Sequence, residues 1–350
     1  MKTTDRLHYF DILKGMAIFL VVMGHVLTMC IRDIDRTLLF KIIGQVHMPL
    51  FFFISGYFTY KAATTPRLGR RFTQLIIPGI VVGLLWMLYF PHSGLQSPLV
   101  MTFEGMWCTP FKNGYWFTVT LFEIIALYAA MTLILRRGDS FRSMLLTALC
   151  VWIILVMLQL TLGNLLIFRL MSLELVAAYF PAFMAGVLAR RSDGCFIESC
   201  LNPKVYTAAL LAAGVLLYIQ MYPWEFSRFH PLVFTVSAPA LHIALAIVGI
   251  ALVKPWSERA LAPDGTAGER KVAMTWEYIG KNSLAVYLLH YFFLFPIPWL
   301  REPLREMGLD IVPAFTVAFI AASLIVAMTL LANYIISRSP VLARLLTGKG

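Results

Sequence analysis

The stretch ILKGMAIFLVVMGHVLTMCI, residues 12–31, holds one formal charge, Lys14, and one imidazole, His25. At about 1.5 Å per residue it is long enough to cross the ~30 Å apolar core of a bilayer. No small-residue cleavage pattern follows it, so it reads as a first transmembrane helix and not as a signal peptide. The rest of the chain agrees. Of 350 residues, 60% are hydrophobic and 13% charged, with a mean hydropathy of +0.78, which is more apolar surface than a soluble core can hide. Similar runs bounded by polar or Pro/Gly clusters predict ten helices, at 12–31, 42–60, 72–90, 115–135, 143–162, 166–189, 205–222, 231–253, 282–300 and 311–337. The expected fold is an all-α integral membrane protein of about ten transmembrane helices. Residues 1–350 are expected to form a single transmembrane domain, with no loop large enough for a soluble one.

The net charge of +11 comes from 29 Lys and Arg against 18 Asp and Glu. With the N-terminus inside, segments 1–14, 61–71, 136–142, 190–204, 254–281 and 338–350 carry 21 of the 29 basic residues and the rest of the chain carries 8. The positive-inside rule then puts both termini in the cytoplasm. Topology accounts for the basic balance, and no nucleic-acid partner is expected. Trp107, Trp116, Trp224 and Trp299 fall near predicted outer ends, as interfacial aromatics do. The outer loop 91–114 and the inner loop 254–281 are the expected irregular elements. No internal repeat supports an inverted-repeat transporter. Cysteines 30, 108, 150, 195 and 200 form no CxxC pair, and the last two have no His near them, so no metal site is expected.

A charge or imidazole inside a span costs free energy and is a functional candidate for that reason. Asp11, Lys14, Ile18 and His25 fall on one stripe of the first helix, because eleven residues make about three turns. A cation at the inner mouth thus points the same way as an imidazole ~16 Å deeper, a separation like the reach of an extended pantetheine arm. The structural alternative is a capping Asp, a snorkelling Lys and a His bonded to a neighbouring helix. His47, near the outer end of the second helix, reads alone as an interfacial His, and Ser55-Gly56 as a close-packing site. Arg67, Arg70 and Arg71 either orient the protein or grip phosphates with forked donors. Glu123 lies about two turns into a span, Glu174 follows Arg169 by five residues with a local or an interhelical partner equally open, and Ser283, Tyr287 and His290 repeat along one face. No nucleophile elbow, zinc-protease motif, P-loop or dinucleotide fingerprint competes with these candidates.

Taken together, these residues resemble the acyltransferase 3 family of multi-span bacterial membrane proteins that O-acylate carbohydrates. The resemblance is carried by an ordered series: YFDILKGMAIFLVVMGH (9–25), HMPLFFFISGYF (47–58), RRFTQLIIP (70–78), GYWFTVTLFE (114–123), YFPAFMAGVLARR (179–191) and WEYIGKNSLAVYLLHY (276–291). It implies that His25 is the catalytic His and that Lys14 occupies the position of the family's basic partner, usually Arg. Lys keeps the charge without the planar fork, so Lys14 suits a phosphate anchor while a fork-dependent role is put in question. The family's R-x-x-R pair at the third helix is matched by Arg67 and Arg70, or by Arg71 with Gln74 at the second position; Arg70 and Arg71 are the preferred donor contacts.

The resemblance further implies acyl-CoA, with acetyl-CoA foremost, as a donor substrate and no permanently bound cofactor. The acceptor is a hydroxyl of a cell-surface or lipid-linked carbohydrate, and the setting is the lipid of a bacterial cytoplasmic membrane. His25 is read as general base, with a covalent acyl-His as the alternative. Asp11, His47, Glu123, Tyr287 and His290 are candidates for binding the acceptor or orienting the imidazole. The rival readings are a transporter or flippase for an anionic solute with a His/Glu proton relay, and a non-catalytic subunit of a glycan assembly complex.

Overall fold

The computed structural model describes residues 7–31, 37–60, 65–95, 103–135, 140–222, 230–307 and 312–349. Trp224, Arg136 and Arg137, used above to infer orientation, lie outside these. The helices run α1 His8–His25, α2 Leu38–Thr59, α3 Thr65–Tyr89, α4 Phe103–Cys108, α5 Trp116–Ile134 and α6 Phe141–Leu162. They continue α7 Leu166–Leu170, α8 Leu173–Arg191, α9 Cys195–Cys200, α10 Pro203–Met221 and α11 His230–Leu261. The last are α12 Ala267–Lys281, α13 Ser283–Leu289, α14 Arg301–Glu306, α15 Val312–Ile336 and α16 Pro340–Thr347. No strand occurs among the described residues, where nine helices are long and apolar enough to cross a membrane, or ten if the bent pair Ser283–Phe293 and Pro298–Leu304 counts as one span. This is an all-helical integral membrane protein.

Apart from its Asp11–Lys14–His25 stripe, α1 is apolar all round, and such a helix belongs in the middle of a bundle. It packs against α2, α11, α12, α13 and α15. Within its span 72% of residues are buried, against 11% for α6, whose leucines and isoleucines face outward. Two crossings bring backbones into contact. A Cβ on Gly15 would strike the Trp276 carbonyl, and one on Gly280 the Asp11 carbonyl, where α1 meets α12. Gly56 and Gly186 play the same part where α2 meets α8, as the packing reading of Ser55-Gly56 expects.

Three elements depart from the sequence-based expectation. The helix expected at 282–300 is broken: α13 ends at Leu289, His290–Phe293 continue as a 3₁₀ turn, and the chain bends by 87° before Pro298–Leu304. Pro296 and Pro298 lack the N–H that would carry the helix onward. Segment 254–281, expected to be an irregular inner loop, is helical over most of its length. Its first part extends α11, and its second is α12, started by a capping box in which Thr266 Oγ1 accepts the Glu269 N–H at 3.3 Å and donates to Glu269 Oε2 at 2.8 Å. Burial alone would raise the Glu277 carboxyl of α12, but hydrogen bonds from Lys281 and His8 outweigh it and hold that carboxyl below the usual range. The helix expected at 166–189 is split into α7 and α8 at Ser172, which has a left-handed φ of 46°.

Candidate active site

His25 is the last residue of α1, and the chain passes directly from it into a π-helical turn, Val26–Cys30. Such widened turns recur at functional sites. The Cys30 carbonyl accepts the Ile297 N–H at 2.6 Å, which ties this turn to the bend of the broken span. That tie brings His290 and Tyr291 against His25. The ring centroids of His25 and His290 are 5.2 Å apart, those of His25 and Tyr291 4.8 Å, and the Tyr291 hydroxyl lies 3.1 Å from His25 Nε2.

The histidines are held in defined states. His290 Nδ1 lies 2.9 Å from the Val286 carbonyl and 2.8 Å from that of Tyr287. Carbonyl oxygens only accept, so Nδ1 carries the proton and Nε2 keeps a lone pair. That Nε2 is buried without a partner. By the same reasoning His47 donates from Nδ1 to Ile43 O at 2.5 Å. The structure thus brings together two of the predicted imidazoles, His25 and His290, from distant stretches of chain. Among the described residues no three His, Cys, Asp or Glu side chains converge as metal ligands.

An aromatic wall supports the cluster. Tyr291 is fully buried, with Trp86 at 5.5 Å and Tyr115 at 5.3 Å between centroids. Gly114, at φ +94°, lies so close that a Cβ there would overlap the Tyr291 hydroxyl. Tyr287 donates its hydroxyl to Gly114 O at 2.7 Å and accepts the Phe117 N–H at 3.1 Å, clamping the start of α5 onto α13. Its polar tip is spent on the scaffold, and it shapes the site from there.

A cavity of about 130 Å³ lies along α1 on the N-terminal side of this cluster. Lys14, Ile18 and Val21 line it from α1, with Ser55, Ser283 and Tyr287 among the facing residues. The steps of four, three and four residues from Lys14 through Ile18 and Val21 to His25 follow one helix face, so the cavity tracks the stripe read from the sequence. Tyr287, at its deep end, is 6.4 Å from the His290 ring. At its mouth Lys14 Nζ is 2.7 Å from Asp11 Oδ1, so Asp11 is the partner of Lys14 and not a helix cap. Arg71 is exposed and reaches Gln74 Oε1 at 3.5 Å. It lies one turn before Leu75, which lines the cavity, whereas Arg70, also exposed, points ~100° away around the helix.

Glu123 stands apart from the imidazoles. Its Oε2 is buried without a hydrogen bond, and its field acts on Lys112. Lys112 is itself buried and donates to the carbonyls of Trp107, Thr109 and Arg169 at 3.2, 3.0 and 3.1 Å. Burial lowers its proton affinity below the lysine range, and Glu123 opposes that shift. The sequence reading missed Tyr291, Gly114 and Trp86. Tyr291 is off the face shared by Ser283, Tyr287 and His290 in an α-helix; the 3₁₀ turn that begins at His290 alters the rotation between successive side chains.

The site is thus a helical bundle with a cavity that follows α1 from Lys14 to Val21, one turn short of the paired imidazoles of His25 and His290. The chain belongs to the acyltransferase 3 family: residues 7–332 match that family's acyltransferase domain. A stretch of 141 residues is 32% identical to the nodulation protein NolL of Sinorhizobium fredii and covers 36% of this chain and 37% of that protein. Another comparison, with NolL of Mesorhizobium japonicum, gives 34% identity over 143 residues, 37% of each chain. The chain thus matches little more than a third of the length of these relatives. No solved structure matches it.

Proposed function

We propose that the protein moves a small acyl group, acetyl foremost, from acyl-CoA to a hydroxyl of a cell-surface or lipid-linked carbohydrate, with residues 1–350 acting as one transmembrane acyltransferase domain. The observation that carries this reading is the cavity along α1, which runs from Lys14 to Val21, one helical turn before the His25–His290–Tyr291 cluster. Lys14 and Arg71, with Arg70 near them, bind the phosphates of the donor at the mouth while its pantetheine arm follows the Lys14–Ile18–Val21 face inward. With Nε2–H donated to the Tyr291 oxygen, His25 Nδ1 holds the lone pair that takes the proton of the acceptor hydroxyl. The hydroxyl oxygen attacks the thioester carbonyl carbon. The tetrahedral adduct then expels the thiolate, which recovers the proton from the imidazolium and leaves as free CoA.

Direction is part of the same proposal and is supported by the excess of basic residues at the Lys14 end. The donor enters from the cytoplasm at the Lys14 end, where both termini lie, and the acceptor meets His25 from the opposite face of a bacterial cytoplasmic membrane. The matched third of the nodulation proteins does not narrow the acceptor further. The test is glycan mass spectrometry of cells with and without this chain. Loss of a mass equal to one acyl unit identifies donor group and acceptor together, and identical glycan profiles overturn the reading. Orientation has its own test in cysteine labelling. Cys195 is exposed and Cys108 half-buried, while Cys200 is buried and cannot report. An impermeant thiol reagent outside intact cells is expected to modify Cys108 and spare Cys195; the reverse result inverts the topology.

A further inference from the structure

A second cavity, of about 280 Å³, lies at the His25 end of the bundle between the end of α6, α7 and the first turn of α8. Gln159, Asn164, Arg169 and Glu174 line it, together with Phe168 and Pro110. Arg169 and Glu174 do not pair with each other; neither side chain has a hydrogen-bond or ion-pair partner within the described chain. Two carboxamides, a guanidinium, a carboxylate and an aromatic ring face one space. These groups suit a saccharide, which presents hydroxyls to amides and carboxylates and a C–H face to an aromatic ring.

Two further features define the ligand. The rim is apolar and open: Leu160, Leu162, Leu165, Leu166, Ile167 and Met171 are all exposed around the cavity, continuing the outward leucine and isoleucine face of α6. A ligand held here therefore has a polar head in the cavity and room for a hydrocarbon tail along that face. The cavity is also fixed rigidly to the catalytic end. Lys112 donates to the Arg169 carbonyl at 3.1 Å, and Ser172 Oγ donates to the Pro110 carbonyl at 3.0 Å. From Pro110 the chain leads in four residues to Gly114, which abuts the Tyr291 hydroxyl beside His25.

We infer that this cavity is an acceptor subsite that binds a lipid-linked glycan. Arg169 takes the phosphate joining lipid to sugar, Gln159, Asn164 and Glu174 take sugar hydroxyls, and the remaining units run along residues 110–114 to place the reacting hydroxyl at His25. The inference rests on the proposed acyltransferase reading and names the class of its acceptor.

The experiment uses membranes of cells containing the acceptor, the full-length protein and acetyl-CoA carrying a radioactive acetyl group. Expected is label in material extracted by organic solvent and made water-soluble by mild acid, as a phosphate-linked glycolipid would be. The double variant Arg169→Gln, Glu174→Gln removes one charge of each sign from exposed positions. It is expected to lower this transfer tenfold or more at limiting acceptor, with recovery when acceptor is raised and with acetyl-CoA affinity unchanged. Wild-type transfer by the double variant, or label in water-soluble glycan alone, overturns the subsite. Absence of any transfer by the wild-type protein overturns the acyltransferase reading itself, a result distinct from either.

Discussion

The two ends of the stripe on α1 are built on different principles. At the mouth, Arg70 and Arg71 are exposed on long flexible stems, and Lys14 is held only by an intrahelical carboxylate. Eleven residues deeper, His290 is locked by two carbonyls, Tyr291 is walled by Trp86 and Tyr115, and the backbone itself changes to a π turn after His25. A phosphate anchor tolerates movement because Coulomb attraction falls off slowly and every ammonium proton serves equally well. Proton transfer does not, because it needs a lone pair within hydrogen-bond reach and in line. On this reading the mouth contributes affinity and the far end contributes rate.

The strongest way to break that division is His25→Ala. Loss of a general base costs roughly 10²- to 10⁴-fold in rate, and the variant is expected to lose acyl transfer while still inserting and still binding acyl-CoA. Near-normal turnover would sink the mechanism. At the mouth, Lys14→Gln is expected to weaken donor binding by ~1–3 kcal/mol, the scale of a charge-assisted hydrogen bond, and to leave turnover at saturating donor unchanged. Calorimetry on detergent-solubilised protein at low and moderate salt measures the first, and steady-state kinetics the second. A fall in kcat without a change in affinity would abolish the distinction between the ends.

Legibility in the sequence follows the same division. Apolar runs between charged loops announce a span wherever a helix is continuous, and α1, α2, α3, α5 and α6 fall where the runs do. Helical spacing also put Lys14, Ile18 and His25 on one face, which the cavity follows. The sequence misled wherever the backbone leaves the α-helix. The break at Pro296 moved Tyr291 against His25 although one-face spacing favoured Tyr287, whose hydroxyl is committed to the backbone of residues 114 and 117. The polar composition of 254–281 concealed α12, which packs onto α1 through Ala273, Ile279 and Gly280 and buries Glu277 beside His8. Glu123 was legible as a costly buried group, but its neighbour Lys112 comes from a loop whose fold no periodicity encodes.

Tyr291→Phe sharpens the account of the rigid end. It keeps the ring packed against Trp86 and Tyr115 and removes only the hydroxyl 3.1 Å from His25 Nε2. A neutral hydrogen bond is worth about 0.5–1.5 kcal/mol, so kcat is expected to fall roughly 2- to 12-fold, with donor KM unchanged and the acidic arm of the pH–rate profile, which reports protonation of the base, displaced. A structural role alone would lower the amount of folded protein and leave that profile in place.

The smallest effect is expected from Lys14→Arg, and its smallness is informative. Arg restores the side chain usual in the family and brings five N–H donors in a planar fork in place of three on a point charge. Asp11 already occupies one donor of Lys14 at 2.7 Å. A guanidinium can satisfy that carboxylate with one edge and present the other to a phosphate, so the cavity mouth gains a donor without losing its internal pair. Donor affinity is expected to stay within about fivefold of the wild type or to rise, since one added or lost hydrogen bond is worth about 1 kcal/mol or less. Calorimetry with acetyl-CoA measures this directly. If Lys14→Arg instead weakened binding as much as Lys14→Gln, the position would require the compact ammonium itself, and the mouth would prove as geometrically exacting as the imidazole cluster.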